Sequence, residues 1–531
     1  MSVDADWTSE RSAAGPHNPW LIIIVLSLAT FMEVLDTSIA NIALGHIGGA
    51  LSASYDEATW ILTSYLVANA IVVPLSGWFA DTLGRKRYYM ISVALFTAAS
   101  LACAFAPSIG WLIVFRILQG VGGGGLAPCE QSMLVDTFPP SQRTRAISIY
   151  GLVLILGPAL GPTIGGVITE IASWRWLFLI NIPVGLASLA LVAWLVCEPA
   201  LLRAERAKRR SSPLDLDGVG IALIALGLGT LQFVIDRGQR LDWFASPLIR
   251  NSALLAGASL ILLCVWEVRR PNAILNLRLF RDKAFASAGA LMLITGALLY
   301  ATTQIVPQFM QQVMGYSPAW AGLAMTASSV ATVASTILTA SIASKYPAWR
   351  VIGFGLVLEA AGLIHSTSIS SDMDFWTVAI DRVWLVAGLP LILVPLTTGA
   401  YSSLKATATG QASAFLNLFR NIGGGMGIAL AQTILARRAS VHASELAERI
   451  SVLDPRWRLA NELAPWRLGA LYQRGPLSNV RGLRLLVGQL DRQALVLAYI
   501  DVFWVLAIIA IAALALAPFL RTSPMKQNLA D

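Results

Sequence analysis

Apolar side chains in this chain come in long unbroken runs, not in the spaced stripes of a soluble helix or the alternation of a half-buried strand. Runs of spanning length lie at 20–44, 58–80, 88–107, 110–136, 146–170, 175–197, 217–235, 251–268, 285–313, 319–344, 349–369, 375–402, 409–436 and 494–518, fourteen in all. Each suits a helix crossing about 30 Å of hydrocarbon. A helix satisfies its own backbone there, whereas a lone strand does not. The predicted fold class is an all-α membrane protein.

Composition supports that reading. The 531 residues are 56% hydrophobic and 13% charged, with mean hydropathy +0.67. Soluble domains carry about 25% charged residues, so lipid is the natural solvent. The formal charge of +8 does not point to nucleic acid, because the basic residues sit between apolar runs. Arg85 to Arg87, Arg143 with Arg145, Arg203 to Arg210, Arg269 to Lys283, Lys345 with Arg350, and Lys405 fall in alternate loops, and the loops between carry fewer. The positive-inside rule then places the basic set in the cytoplasm, and an even helix count places both termini there. The expected location is the cell inner membrane. Residues 1–19 are net acidic and the run behind them is too long for a cleavable signal peptide. Cys103, Cys129, Cys197 and Cys264 lie in apolar runs and read as buried thiols, and four scattered histidines suggest no metal site.

The expected organisation is a cytoplasmic tail (1–19), a six-helix bundle (20–197), a basic loop with two inserted helices (198–268), five helices of a second bundle (269–436), an extracytoplasmic loop (437–493), a last helix (494–518) and a cytoplasmic tail (519–531). The 437–493 stretch holds ten arginines and five acids, which conflicts with an external position, but long loops follow the charge rule weakly. Leu446, Ile450 and Leu453 repeat at helical spacing, so further helix is expected there. The halves echo each other: Arg116 before Pro128 resembles Arg382 before Pro395. Such repeats are typical of transporters.

Candidate chemistry concentrates in the first half. Glu33 and Asp36, spaced i and i+3 on the first run, share nearly one helix face. Carboxyls at membrane depth usually meet a water-filled cavity or a cation. Such a group can load and release protons; the alternative is a carboxylate locked to Arg116 as a packing pair. Arg116 stays charged when buried, and Glu33, Asp36 and Glu130 are its candidate partners. Gly77, Asp81, Gly84 and Arg85 form an ordered G-x-x-x-D-x-x-G-R loop. Gly157, Pro158, Gly161, Pro162 and Gly165 give small residues at four-residue spacing with two helix-kinking prolines. The glycine run 122–125 lacks the Lys-Ser/Thr ending of a phosphate loop, so it reads as close helix packing.

Together these residues resemble the major facilitator superfamily, specifically its fourteen-helix drug/proton antiporter family of EmrB/QacA type, closest to the EmrB-like multidrug efflux pumps. The resemblance rests on 35–41, the Gly77 to Lys86 loop, Arg116 with Gln119-Gly120, Gly157 to Gly166, Trp174 to Gly185, and Phe415 to Gly427. It implies two pseudo-symmetric bundles arranged 6+2+6. It also implies a proton-coupling role for Asp36 and Arg116, and a charge relay of Asp81 and Arg85 with Asp136. It further implies export, because Gly157 to Gly166 resembles the motif of the superfamily's exporters and antiporters rather than its importers. The second-half loop copy carries Lys345 where the family has Asp.

The function expected is proton-coupled export of amphipathic drugs or toxic compounds, driven by the proton gradient without a cofactor. Export of an endogenous siderophore or lipid-like compound is the alternative. No nucleophile with its base, metal ligand set or phosphate loop suggests an enzyme. Gln304, Gln308 and Gln311 with Gln312 form a helical stripe, and with Glu359, Asn417 and Asn421 they are candidates for a substrate cavity. Inter-helix hydrogen bonding is the competing role. Asp381 and Arg382 read as a local pair. The implied partners are a small-molecule substrate, membrane lipid, a periplasmic adaptor protein and an outer-membrane channel.

Overall fold

The computed structural model describes residues 18–197, 217–270, 274–343, 345–402, 409–448 and 477–520. The tail before residue 18, Arg203 to Arg210, Lys405, 449–476, the tail beyond 520, and the side chains of Asn41, Pro158 and Pro162 lie outside the described residues.

The described residues are helical, without strands. The first bundle comprises α1 (Pro19–Ala50), α2 (Tyr55–Leu83), α3 (Arg85–Ala104), α4 (Ile109–Gly123), α5 (Leu126–Thr137), α6 (Pro140–Ile171), α7 (Trp176–Leu179) and α8 (Asn181–Leu195). An inserted hairpin follows, α9 (Gly218–Arg237) and α10 (Pro247–Arg269). The second bundle is α11 (Lys283–Gln312), α12 (Pro318–Ala343), α13 (Ala348–His365), α14 (Phe375–Ala387), α15 (Leu389–Ser402), α16 (Thr409–Glu448) and α17 (Leu477–Ala513). Among the described residues, twelve helical runs are long and apolar enough to span a membrane. Helices α6 and α16, 32 and 40 residues long, match the two remaining apolar runs.

Local chemistry sets several ends. Asn18 caps α1 ahead of Pro19, and Ser54 with Glu57 forms a reciprocal capping box on α2. Gly84 turns α2 into α3 at φ +95°, a left-handed geometry natural to glycine. Three predicted spans are each two helices, the sixth being α7 and α8 on either side of Ile180. The fourth breaks around Gly124 and Gly125, and the twelfth breaks at Gly388. The expected 437–493 loop is helical at both ends, because α16 runs on to Glu448 and α17 starts at Leu477.

The bundles meet along two seams, α2 against α16 and α6 against α12. At the end holding Arg85, one apolar core joins both: Val73, Val135 and Ile147 pack with Phe285, Leu396 and Phe415. The α9–α10 hairpin lies on α2, where Trp60 stacks on Phe233 and Thr63 donates to Asp236. It also reaches the second bundle, since Trp243 Nε1 donates to Thr433 Oγ1 at 3.0 Å. Large apolar side chains such as Phe105, Trp194, Ile261 and Val330 point outward, as lipid-facing residues do. Cys264 is among the outward residues, which corrects its reading as a buried thiol.

Candidate functional site

Helix α1 distributes its polar residues among three neighbours. Asp36 turns into the first bundle. Its Oδ2 accepts from Arg116 Nη1 at 2.5 Å, and its Oδ1 accepts from Gln119 Nε2 at 2.9 Å and Asn181 Nδ2 at 2.7 Å. Arg116 Nε donates to the Ile61 carbonyl at 3.1 Å, and the guanidinium lies over the Tyr65 ring, 4.3 Å from its centroid. Arg116 and Asp36 are 0% and 2% exposed. Of its three candidate partners, Arg116 takes Asp36.

Glu33, one turn earlier, faces elsewhere. Its Oε1 accepts from Asn69 Nδ2 at 3.1 Å and from the Tyr65 hydroxyl at 3.3 Å, while Oε2 has no hydrogen-bond partner among the described residues. Across the seam, Arg420 of α16 attracts it electrostatically. Glu130 is sealed on the far side of α1, accepting from Thr30 and, at 3.1 Å, from the Tyr89 hydroxyl. Among the described residues its hydrogen bonds go to Thr30 and Tyr89 and the ion pair of Arg116 goes to Asp36, which corrects that candidate pairing.

Glycines let these elements approach. A Cβ on Gly120 would sit 2.5 Å from the Tyr65 carbonyl oxygen, and one on Gly122 2.6 Å from the Phe96 nitrogen. The run 122–125 is therefore a packing face against α2 and α3. On α6, Cβ atoms at Gly157, Gly161 and Gly165 would meet Val34, Ser38 and Ile39 of α1 at 2.7, 2.3 and 3.2 Å. The small-residue stripe thus lies directly on the helix that carries Glu33 and Asp36. Helix α6 also reaches the second bundle, with Thr163 and Thr326 hydroxyls 3.2 Å apart.

The Gly77–Arg85 turn locks the bundles at one end. Arg85 pairs with Asp136 and donates through Nη2 to Thr409 Oγ1 of the second bundle at 3.0 Å. Asp81 adds its negative charge near Arg85. A Cβ on Gly77 would lie 3.0 Å from the Gln411 Cα, so α2 and α16 touch backbone to backbone. Gln131 of α5, unremarkable in the sequence, is a second tie. Its Oε1 accepts from Asn417 at 2.8 Å, Ser413 at 3.1 Å and Tyr401 at 3.3 Å.

The proposed cavity residues divide. Asn417 faces Gln131, and Asn421 donates to Asn69 Oδ1 at 3.4 Å, so both stand between the bundles. Gln308 pairs with Gln432 of α16 at 2.6 Å, and Gln312 accepts from Tyr499 of α17 at 3.2 Å. Gln304 is half-buried and Gln311 exposed, so the stripe is largely an inter-helix contact. Glu359 is fully buried on α13, which packs on α14, α15 and α17 of its own bundle, so it lies away from the space between bundles. Asp381 does not pair with Arg382. Its Oδ2 accepts from Ser366 at 2.7 Å and its Oδ1 lies 3.8 Å from His365, because successive helical residues face apart.

A family model described as Major Facilitator Superfamily matches residues 26–428. The chain belongs to the Major Facilitator Superfamily. It is 32% identical over 510 residues to "Multidrug export protein EmrB" of Escherichia coli (strain K12), covering 94% of this chain and 95% of that one. It is 36% identical over 431 residues to "Fatty acid resistance protein FarB" of Neisseria gonorrhoeae, covering 81% and 83%. The solved structure of the human organic anion transporter MFSD10 matches with a TM-score of 0.55 at 11% identity, covering 93% of this chain and 99% of that one, a likeness of fold. Superfamily membership makes this chain a multi-pass membrane transporter and not an enzyme. Gln119, Asn181 and Gln131, central to the site, are uncharged amides. Gln119 and Asn181 fall inside motifs quoted for the resemblance, whereas nothing in the sequence marks Gln131.

Proposed function

We propose that the chain is a proton-coupled antiporter exporting amphipathic drugs or toxic compounds across the inner membrane, with both termini cytoplasmic. The observation that carries this is Glu33: a carboxyl at membrane depth, on the seam between bundles, half-satisfied and drawn to Arg420 of the opposite bundle. A group so placed can change partner when the bundles rock, and so couple a proton to the movement.

Asp36 and Arg116 form the second element. Their ion pair holds α1 to α4 in this conformation. Protonating Asp36 would weaken the pair and release α1 against the glycine face of α6. The Arg85 turn acts as the cytoplasmic latch, closed here through Thr409. Proton uptake from outside accompanies substrate release, and proton loss to the cytoplasm resets the latch. The membrane potential supplies about 2.3 kcal/mol per charge per 100 mV, and each pH unit about 1.4 kcal/mol. Asn417 and Asn421 supply uncharged donors and acceptors at the seam, which suits loosely specified ligands. The name of the EmrB relative supports multidrug export.

Accumulation of a fluorescent amphipathic drug in proteoliposomes under an imposed pH gradient tests the proposal. Glu33→Gln and Asp36→Asn should each abolish gradient-driven uptake while leaving drug binding. Transport by Asp36→Asn equal to the unaltered protein would remove Asp36 from the mechanism. An adaptor and outer-membrane channel would extend the route, with 437–493 as the contact. Deleting 449–476 should then abolish adaptor capture yet keep transport into vesicles. A second reading, export of an endogenous lipid-like or siderophore compound, is favoured by the name of the FarB relative. Intracellular accumulation of such a metabolite on deletion, without drug sensitivity, would select it.

A further inference from the structure

The second bundle contains an acid and a base that the mechanism above leaves unused. Glu359 of α13 is 0% exposed, and neither of its carboxyl oxygens has a hydrogen-bond partner among the described residues. Arg382 of α14 is buried beside it. Its Nη2 donates to Thr303 Oγ1 of α11 at 3.0 Å, but Nε and Nη1 have no hydrogen-bond partner among the described residues. Arg382 is the charged group that acts on Glu359. The pair lies at the α14–α15 break, where a Cβ on Gly388 would sit 3.1 Å from Glu359 Oε2 and 2.5 Å from the Gly355 carbonyl oxygen.

An ionised carboxylate in this position would be drawn onto the free guanidinium nitrogens, because a charge-assisted bond in apolar surroundings is strong and an unbonded buried charge is costly. The two groups are found apart, as a neutral carboxyl would be. Arg382 itself stays charged. Of the elements packed on α13, α14 also brings Asp381, whose charge acts on Arg382. Helices α12 and α15 carry no ionised side chain among the described residues. Asp501 of α17 is engaged by Arg438 at 2.5 Å and His442 at 2.8 Å. Asp381 is held by Ser366 and faces His365, whose side chain is 59% exposed, giving a polar chain from the surface towards Arg382.

We propose that Glu359 and Arg382 form a second proton-exchange site, in the second bundle, with Glu359 carrying the proton in this conformation and pairing with Arg382 when it is lost. The site extends the proposed proton coupling, yet its titration can be read without any transport.

The test is labelling of the purified full-length protein with dicyclohexylcarbodiimide, which attacks protonated carboxyls in apolar surroundings, followed by mass spectrometry of the peptide bearing Glu359. Labelling at Glu359 should fall at least tenfold between about pH 6 and about pH 9, as expected for a titrating group. Arg382→Gln should preserve labelling to higher pH, because the charge that favours the ionised form is gone. Glu359→Gln, which imitates the protonated form, should keep the folding temperature but lower the protons moved per substrate. Absence of label on Glu359 at every pH, in a sample where Glu33 is labelled, would overturn the proposal. So would pH-dependence unmoved by Arg382→Gln, or unchanged stoichiometry in a well-folded Glu359→Gln. Failure of Glu33→Gln to affect transport would instead strike the first-bundle mechanism and leave this labelling intact.

Discussion

Arg116 and Arg382 occupy corresponding places in the two bundles, each on a helix that ends within about two turns at a glycine break. Both reach towards the first helix of their own bundle, α1 for Arg116 and α11 for Arg382. Their surroundings differ. Arg116 meets a carboxylate whose remaining oxygen is filled by Gln119 and Asn181. Arg382 meets one hydroxyl, and the nearby acid is not bonded to it. One scaffold therefore holds a directly bonded ion pair in one half, with Arg116 Nη2 its unpartnered nitrogen among the described residues, and an acid–base couple with no bond between its members in the other. A bonded pair fixes a conformation, whereas an unbonded couple is poised to change its protonation state.

The contrast is sharpest on removal of each guanidinium. Arg116→Ala leaves Asp36 as an uncompensated buried charge and should lower stability by about 3–5 kcal/mol. Arg382→Ala removes one hydrogen bond together with a buried charge and should change stability by about 1 kcal/mol. Thermal unfolding of both variants in detergent reads the difference, and equal losses would break the contrast. Asn181→Ala takes a donor from the Asp36 carboxylate and should lower stability by about 1.5–3 kcal/mol by the same measurement. The glycines, by contrast, should behave alike in the two halves. Gly120→Ala and Gly388→Ala each place a Cβ 2.5 Å from a backbone oxygen, and each should destabilise by about 1–3 kcal/mol. A large gap between them would mean that the two breaks are not equivalent. The smallest effect is expected from Thr303→Val, about 0.5–1.5 kcal/mol, since it removes one hydrogen bond and keeps the shape.

Much of this was readable along the chain. Apolar runs located the helices, because spanning length and backbone satisfaction leave few choices in lipid. Asp36, Arg116 and the Gly157–Gly165 stripe stood out because charge and small-residue periodicity are rare at membrane depth, and Asp81 with Arg85 because of the ordered spacing of their loop. Gln131 did not stand out, since an amide in an apolar helix is ordinary until three donors converge on it. The helical ends of the 437–493 stretch were only partly legible, because hydropathy stops at the lipid boundary while helical hydrogen bonding does not.

The sequence by itself determined the helices, the two-bundle repeat and the ionisable groups inside the membrane. Those follow from local hydropathy and from residue identity. Tertiary structure decided which acid meets which base. Glu33, Asp36 and Glu130 are all plausible partners for Arg116 on composition, but Glu33 and Asp36 leave α1 towards different neighbours and Glu130 of α5 meets α1 at Thr30. It likewise placed Glu359 inside its own bundle rather than between bundles. Pairing depends on helix rotation and close approach, which are set by contacts between segments distant in the chain.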